Sequence, residues 1–273
     1  MTIWVLRGLR DGVVTTRWPA RPDEYADSWR GPVVVRDGMP PIGAQAHDEA
    51  TPADQDLASL CPTGAIMADG DRVRVDQGRC ILCGRCVARR PDLFAWSQGA
   101  TGPRAAVLSR QALIVPGAPE TDAAIEAARV ELARRVRALR RSVHVRHVDA
   151  GSDGSEEWEI QALLGPVYDV SRLGVFFTAS PRHADVLLVT GAGVAGMRPS
   201  LRTTYDGMPD PKVVMAAGTD AISGGMLSPG NHGADGVVPI DVWVPGSPPS
   251  PFSLLKGLLV AVGQLAGNPV RRP

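Results

Sequence analysis

Cysteine is scarce in this 273-residue chain: there are four, all between residues 61 and 86. Lysine is rarer still, with Lys212 and Lys256 alone, so the positive charge is nearly all arginine. Net charge is absent, since 29 basic residues balance 29 acidic ones. That excludes long-range attraction to nucleic acid or to an anionic membrane. No run reaches the roughly 18 uninterrupted apolar residues that a membrane span needs. The best stretch, Phe252 to Ala266, is short and holds Ser253, Lys256 and Gln264. Met1 to Val5 carries no basic n-region, and Arg7 and Arg10 interrupt the apolar residues after it, so no signal peptide is expected. A cytoplasmic protein with no transmembrane segment of its own is therefore expected. In that reducing compartment four cysteines point to metal rather than to disulfides. Aromatics make up only 5% of the chain, whereas 30 glycines and 24 prolines predict many turns.

What is present suffices for two small domains, and hydrophobic residues at 44% allow a real core. Residues 1–17 read as an amphipathic helix, with Trp4, Val5, Leu6, Leu9 and Val13 against Arg7, Arg10 and Asp11. It serves either as a docking segment or as a helix lying on its own domain. Residues 119–141 show helical spacing of Ile125, Leu132, Val136 and Leu139. Thr121 or Asp122 can cap that helix, and its arginine-rich later part suits the helix dipole. It is expected to connect the domains. Beyond it, residues 143–148 alternate apolar and polar side chains like a strand, and apolar runs at 185–190, 212–217 and 237–244 are separated by helix-compatible stretches at 157–164, 194–205 and 252–265. Strands alternating with helices predict a mainly parallel sheet covered on both faces.

The chemistry lies in the cysteines. Cys80-Ile-Leu-Cys83-Gly-Arg-Cys86 is a C-x2-C-x2-C run, and three thiolates so spaced can wrap one corner of a cubane cluster. Gly84 allows the tight turn. The fourth ligand must be Cys61, which precedes Pro62. In bacterial two-cluster ferredoxins the run C-x2-C-x2-C-x3-C-P gives its fourth cysteine to the other cluster. Cys61-Pro62 looks like the end of one such run and Cys80–Cys86 like the start of the next. Stepping back from Cys61 finds Leu57, Asp54 and Thr51, and the second run's fourth position is Arg90, followed by Pro91. One 4Fe–4S cluster on Cys61, Cys80, Cys83 and Cys86 is expected, and the second is lost. A four-thiolate zinc site usually takes two separated C-x2-C knuckles, which this is not.

Gly12-Val13-Val14-Thr15-Thr16-Arg17-Trp18-Pro19, Arg30-Gly31 and the cysteine motif resemble the ferredoxin-like subunit of formate hydrogenlyase and complex I. Residues 180–188 (SPRHADVLL), 205–212 (YDGMPDPK) and 238–246 (VPIDVWVPG) resemble the small subunit of membrane-bound NiFe hydrogenases. The same words are similar to the terminal-cluster subunit of complex I, the NADH:ubiquinone oxidoreductase 20 kDa type. The resemblance implies a fusion: an α+β ferredoxin-like domain (1–112), a linker helix (113–142) and an α/β flavodoxin-like domain (143–273). It implies partners too, namely a hydrogenase-like or complex I-like large subunit and membrane subunits. The chain would then sit peripherally on the inner face of the cell membrane.

The resemblance also implies a second cluster on four cysteines, none of which this chain has. A C-x2-C pair would fall at Asp153 and Glu156, the third at Asp220 and the fourth at Ser247. Oxygen ligands do not normally hold a cubane. This degenerate site is expected to hold paired or solvated polar groups, or a hard cation such as Mg2+ or Ca2+. Gly191, Gly193 and Gly196 make a G-x-G-x-x-G spacing, but no acidic residue closes a following strand as dinucleotide binding requires. His183 and His232 are expected to be structural. Two functions are open: an electron-relaying iron–sulfur subunit, or a non-redox scaffold of a membrane ion-translocating complex with a structural cluster.

Overall fold

A computed structural model describes residues 3–36, 57–69, 72–102, 104–116, 127, 130–132, 134, 142–228 and 232–263. Its helices are α1 (Ile3–Asp11), α2 (Glu24–Ser28), α3 (Arg85–Arg89), α4 (Ser155–Leu164), α5 (Arg198–Asp206), α6 (Thr219–Ser223) and α7 (Pro251–Ala261). Its strands are β1 (Arg30–Val35), β2 (Ile66–Asp69), β3 (Arg72–Asp76), β4 (Phe94–Gln98), β5 (Ile114–Val115), β6 (Val143–Asp149), β7 (Val175–Phe177), β8 (Val186–Thr190), β9 (Val213–Ala217) and β10 (Val242–Val244).

The second half is a five-stranded, all-parallel sheet in the order β10-β9-β8-β6-β7. Numbered from its first strand, that order is the flavodoxin-like 2-1-3-4-5. Every residue of β8 and β9 is buried, as a parallel sheet with both faces covered requires. Alternate side chains go to opposite faces. Val186, Leu188, Val213 and Met215 join one cluster with Phe252, Leu255 and Leu258 of α7. Leu187, Val189 and Val214 join another with Leu201 of α5. The chain runs from β6 outward to β7, then returns to β8 on the other side. The switch point therefore lies at the carboxyl ends of β6 and β8, where such sheets place their sites.

The first half carries two small antiparallel sheets, β1-β4 and β2-β3-β5. They close a core of Val33, Ile66, Val75, Leu93 and Phe94. This half packs directly on the large sheet. Val107 pairs with Trp243 through two backbone hydrogen bonds of 3.0 and 2.9 Å. Leu113 and Val107 share a cluster with Ala216, Ile222 and Trp243. Trp18 and Ala100 lie in the same cluster as α7.

Three expectations change. The first helix ends at Asp11 rather than at residue 17, because Gly12 turns the backbone left-handed at φ 66°. Val5, Leu6 and Leu9 are exposed, Leu9 at 77%, so this face of the helix does not rest on its own domain. Only Val242–Val244 of the predicted 237–244 strand pairs with β9: Pro239 has no N–H to give, and residues 233–236 form a 3-10 turn. Of the connecting segment, residues 117–126, 128–129, 133 and 135–141 lie outside the described residues. Ala127, Val130, Glu131, Leu132 and Arg134 are helical, and Leu132 is buried.

Candidate functional site

Cys61, Cys80, Cys83 and Cys86 line one cavity, together with Leu60, Ile66, Val75 and Gly84. Cys61 follows a 3-10 turn, Cys80 and Cys83 lie in the loop after β3, and Cys86 is on α3. The loop turns twice through left-handed backbone, at Leu82 (φ 55°) and Gly84 (φ 71°). A Cβ on Gly84 would stand 2.7 Å from the Trp96 ring, so both conformation and space demand glycine there. No disulfide joins these cysteines.

Backbone N–H groups face the sulfurs. Ala65 N–H donates to Cys61 Sγ at 3.2 Å. The Leu82 and Val33 amides serve Cys80, and the Val87 amide serves Cys86. Burial nonetheless pushes the Cys80 thiol up to about 11, with Cys86 and Cys61 adding to the rise. Burial raises Cys86 as well, with Cys61 and Cys83 adding to it. Four mutually repelling sulfurs in an apolar pocket are costly as bare thiolates and suited to a cationic centre. Carboxylates are absent from the residues lining the pocket. The donor set is four soft thiols, with Cys80 buried and Cys83 exposed, which fits an iron–sulfur cubane.

A second constellation sits at the switch point. Asp153 follows β6, Glu156 starts α4 and Asp220 is on α6 after β9. One oxygen from each lies within 4.8 Å of the others. Glu156 is 1% exposed, and burial pushes its carboxyl up to about 7, with Asp220 and Asp153 adding to the rise. Burial likewise pushes Asp220 up to about 6. Asp153 is held below the usual range by Ser155, which donates from both Oγ (2.6 Å) and N (2.9 Å). Glycines make the room: a Cβ on Gly225 would stand 1.8 Å from Asp220 Oδ1, and one on Gly218 2.3 Å from Glu156 Oε1. Ser247 lies in the loop after β10, and among the described residues no hydrogen bond joins it to these carboxylates.

Three residues that the sequence did not single out adjoin this cluster. Thr190 Oγ donates to Glu157 Oε1 at 2.5 Å, and Ser152 Oγ donates to Glu157 Oε2 at 2.8 Å. With its proton so committed, Thr190 must accept from His147 Nε2, 2.9 Å away. Burial lowers the His147 pKa, consistent with a neutral ring. No spacing motif marks Glu157, Thr190 and His147, because β6, β8 and α4 bring them together only in the fold. His183 and His232 are exposed and belong to no cluster of metal-ligating side chains among the described residues. Thr219 Oγ, beside Asp220, is 3.0 Å from the Cys80 carbonyl, so the two constellations lie at the same end of the sheet.

The fold and the carboxyl-end constellations define a flavodoxin-like α/β domain joined to a cysteine-bearing module. The family described as NADH ubiquinone oxidoreductase, 20 Kd subunit, matches residues 154–261. The chain is 41% identical over 138 residues to a probable membrane-bound hydrogenase subunit of Pyrococcus furiosus, covering 50% of this chain and 83% of that one. It is 36% identical over 163 residues to formate hydrogenlyase subunit 7 of Escherichia coli, covering 57% of this chain. There it spans only 61% of the relative's length. A chain of an archaeal membrane-bound sulfane sulfur reductase aligns with 28% identity and a TM-score of 0.41, over 47% of this chain and 74% of that one. The chain belongs to the complex I 20 kDa subunit family. Residues 154–261 contain no cysteine.

Proposed function

We propose that this chain is an iron–sulfur subunit of a membrane-associated, hydrogenase-like or complex I-like oxidoreductase. It would carry one 4Fe–4S cluster on Cys61, Cys80, Cys83 and Cys86. The observation that carries this reading is the single apolar cavity lined by all four thiols, with backbone amides facing Cys61, Cys80 and Cys86. Such a cluster supplies one-electron transfer when bound. The protein's part is to hold four thiolates, to shield them with Val33, Ile66 and Val75, and to set their basicity through the Ala65, Leu82 and Val87 amides. We read residues 1–112 as ferredoxin-like, with the antiparallel β1-β4 pair and the β2-β3 pair as its two small sheets.

The carboxylate site does not fit a second cluster: Asp153, Glu156 and Asp220 offer hard oxygens, and Glu156 and Asp220 have pKa values raised by burial. That observation favours a second reading, in which the chain scaffolds its complex and its one cluster staples the N-terminal module. In both readings the partners are a hydrogenase-like or complex I-like large subunit and membrane subunits, as the relatives' names suggest. Attachment to the membrane is peripheral, since among the described residues no helix is long and apolar enough to cross one.

Iron and acid-labile sulfide on anaerobically purified protein, with an EPR spectrum after dithionite, test the proposal. About four of each per chain and a reduced-cluster signal support it. Zinc in place of iron would leave only the scaffold, and about eight iron atoms would overturn the reading of the carboxylate site.

A further inference from the structure

Between the cysteine loop and the exit of β10 lies a second cavity, of about 160 Å3. Its wall includes Arg30, Gln77, Leu82, Arg104, Pro248 and Ser250. Gln77 is 1% exposed, and its Nε2 donates to the Val33 carbonyl at 3.1 Å. Only the amide nitrogen can serve a carbonyl, so the orientation of the amide is settled. Its Oε1 is buried and has no hydrogen-bond partner. A buried acceptor left unpaired is costly, and native structures rarely tolerate one without a donor.

Two arginines, Arg30 and Arg104, stand in an otherwise uncharged wall. Arg30 stacks over the Trp96 ring at 5.0 Å, and no carboxylate among the described residues pairs with it. Arg104 adds a second guanidinium, one of whose N–H groups binds the Ala112 carbonyl at 2.6 Å. Ser250 is the N-cap of the eleven-residue α7, so the positive end of that helix faces the cavity. The volume is well below the roughly 300 Å3 at which drug-sized ligand sites begin, which excludes a nucleotide or flavin. It holds a molecule of a few heavy atoms.

We propose that this cavity binds a small oxyanion that carries a hydroxyl group, its charge held by Arg30, Arg104 and the α7 N-terminus and its O–H donated to Gln77 Oε1. Hydrogenphosphate and hydrogencarbonate have that chemistry. Sulfate does not, because at neutral pH it has the charge and no proton. Leu82 lies between Cys80 and Cys83, so a bound anion would place negative charge beside that loop. This consequence rests on the proposed cluster, whereas the binding itself does not.

The test is calorimetric titration of the full chain at low ionic strength with inorganic phosphate and, separately, with sulfate. Phosphate is expected to bind at one site, about tenfold or more tighter than sulfate, since the latter leaves Gln77 unpaired. Arg30 is exposed, so Arg30→Gln should fold, and it is expected to weaken phosphate by about tenfold. Gln77→Glu, matched in shape, is expected to abolish binding. Equal affinity for sulfate, no heat with phosphate, or phosphate affinity unchanged in Arg30→Gln would each overturn the proposal. Because the chain can be titrated with its iron removed or retained, failure here leaves the iron content to judge the cluster separately.

Discussion

At the residue scale, the carboxylate site makes a prediction with a definite sign. The Glu156 carboxyl lies at about 7 in the folded chain, against an ordinary 4.5. Between those values the folded state binds more protons than the unfolded state, so stability falls as pH rises. The contribution is fully present below about pH 4.5 and lost as pH passes 7. Glu156→Gln keeps the shape and removes the titration. It is expected to be about 2 kcal/mol more stable than the parent at pH 8 and to flatten the stability curve between pH 5 and 7. Urea melts across that range would show it, and parallel curves for the two proteins would refute it. The cysteines predict differently. Cys83→Ser is expected to lower bound iron and sulfide to near background, while Asp153→Asn should leave both unchanged. Metal analysis of the two variants side by side separates a ligand from a bystander.

Residues also show what could be read without coordinates. Cys61, Cys80, Cys83 and Cys86 are legible because C-x2-C-x2-C and Cys-Pro are local spacings that the fold brings around one cavity. The gathering of Asp153, Glu156 and Asp220 follows from a resemblance, not from any spacing of their own. Gln77, Glu157, Thr190 and His147 carry no local signal for a physical reason: each matters only through a partner many residues away. A lone glutamine or threonine carries no local signature of burial.

At the scale of elements, long apolar strands were the easiest to find. β8 and β9 are buried on both faces, so their sequences are continuous apolar runs. The edge strand β7 and the short strands β2 to β5 are not legible in the sequence, because two to five residues of mixed burial leave almost no periodicity. Helix α1 is the outlier among the helices. Its apolar residues Val5, Leu6 and Leu9 lie open, while Thr16 anchors the chain just beyond it through a 2.8 Å hydrogen bond to the Val167 carbonyl. Deleting residues 1–12 is therefore expected to move the melting temperature by less than about 2 °C, since exposed side chains add little to stability. Differential scanning calorimetry would reveal a larger loss if the helix packed on the domain.

At the scale of the whole molecule, the two halves share their packing. Leu113 of the first half is fully buried against Ala216, Ile222 and Trp243 of the second. Asp76, on β3, accepts from both guanidinium nitrogens of Arg110, at 2.7 and 2.5 Å, an ion pair within the first half that ties the turn carrying Leu113 to its sheet. Leu113→Ala is expected to cost about 3 kcal/mol. Because the seam is shared, the chain should still melt in one transition rather than two, as calorimetry can establish. Two separate transitions would mean that the halves fold independently.

The hydroxyl of Thr219 lies 3.0 Å from the Cys80 carbonyl and 3.1 Å from the Gly246 carbonyl, with one proton to share between them. A single side chain thus stitches the cysteine loop to the exits of β9 and β10. The consequence concerns modularity. Halves that look like interchangeable cassettes are fitted to each other at this stitch, so a chimera with a foreign ferredoxin-like half would need its loop carbonyl at the same height above the sheet. Divergence of either half is constrained by the other, and transplanting the pair together should succeed where transplanting one alone fails.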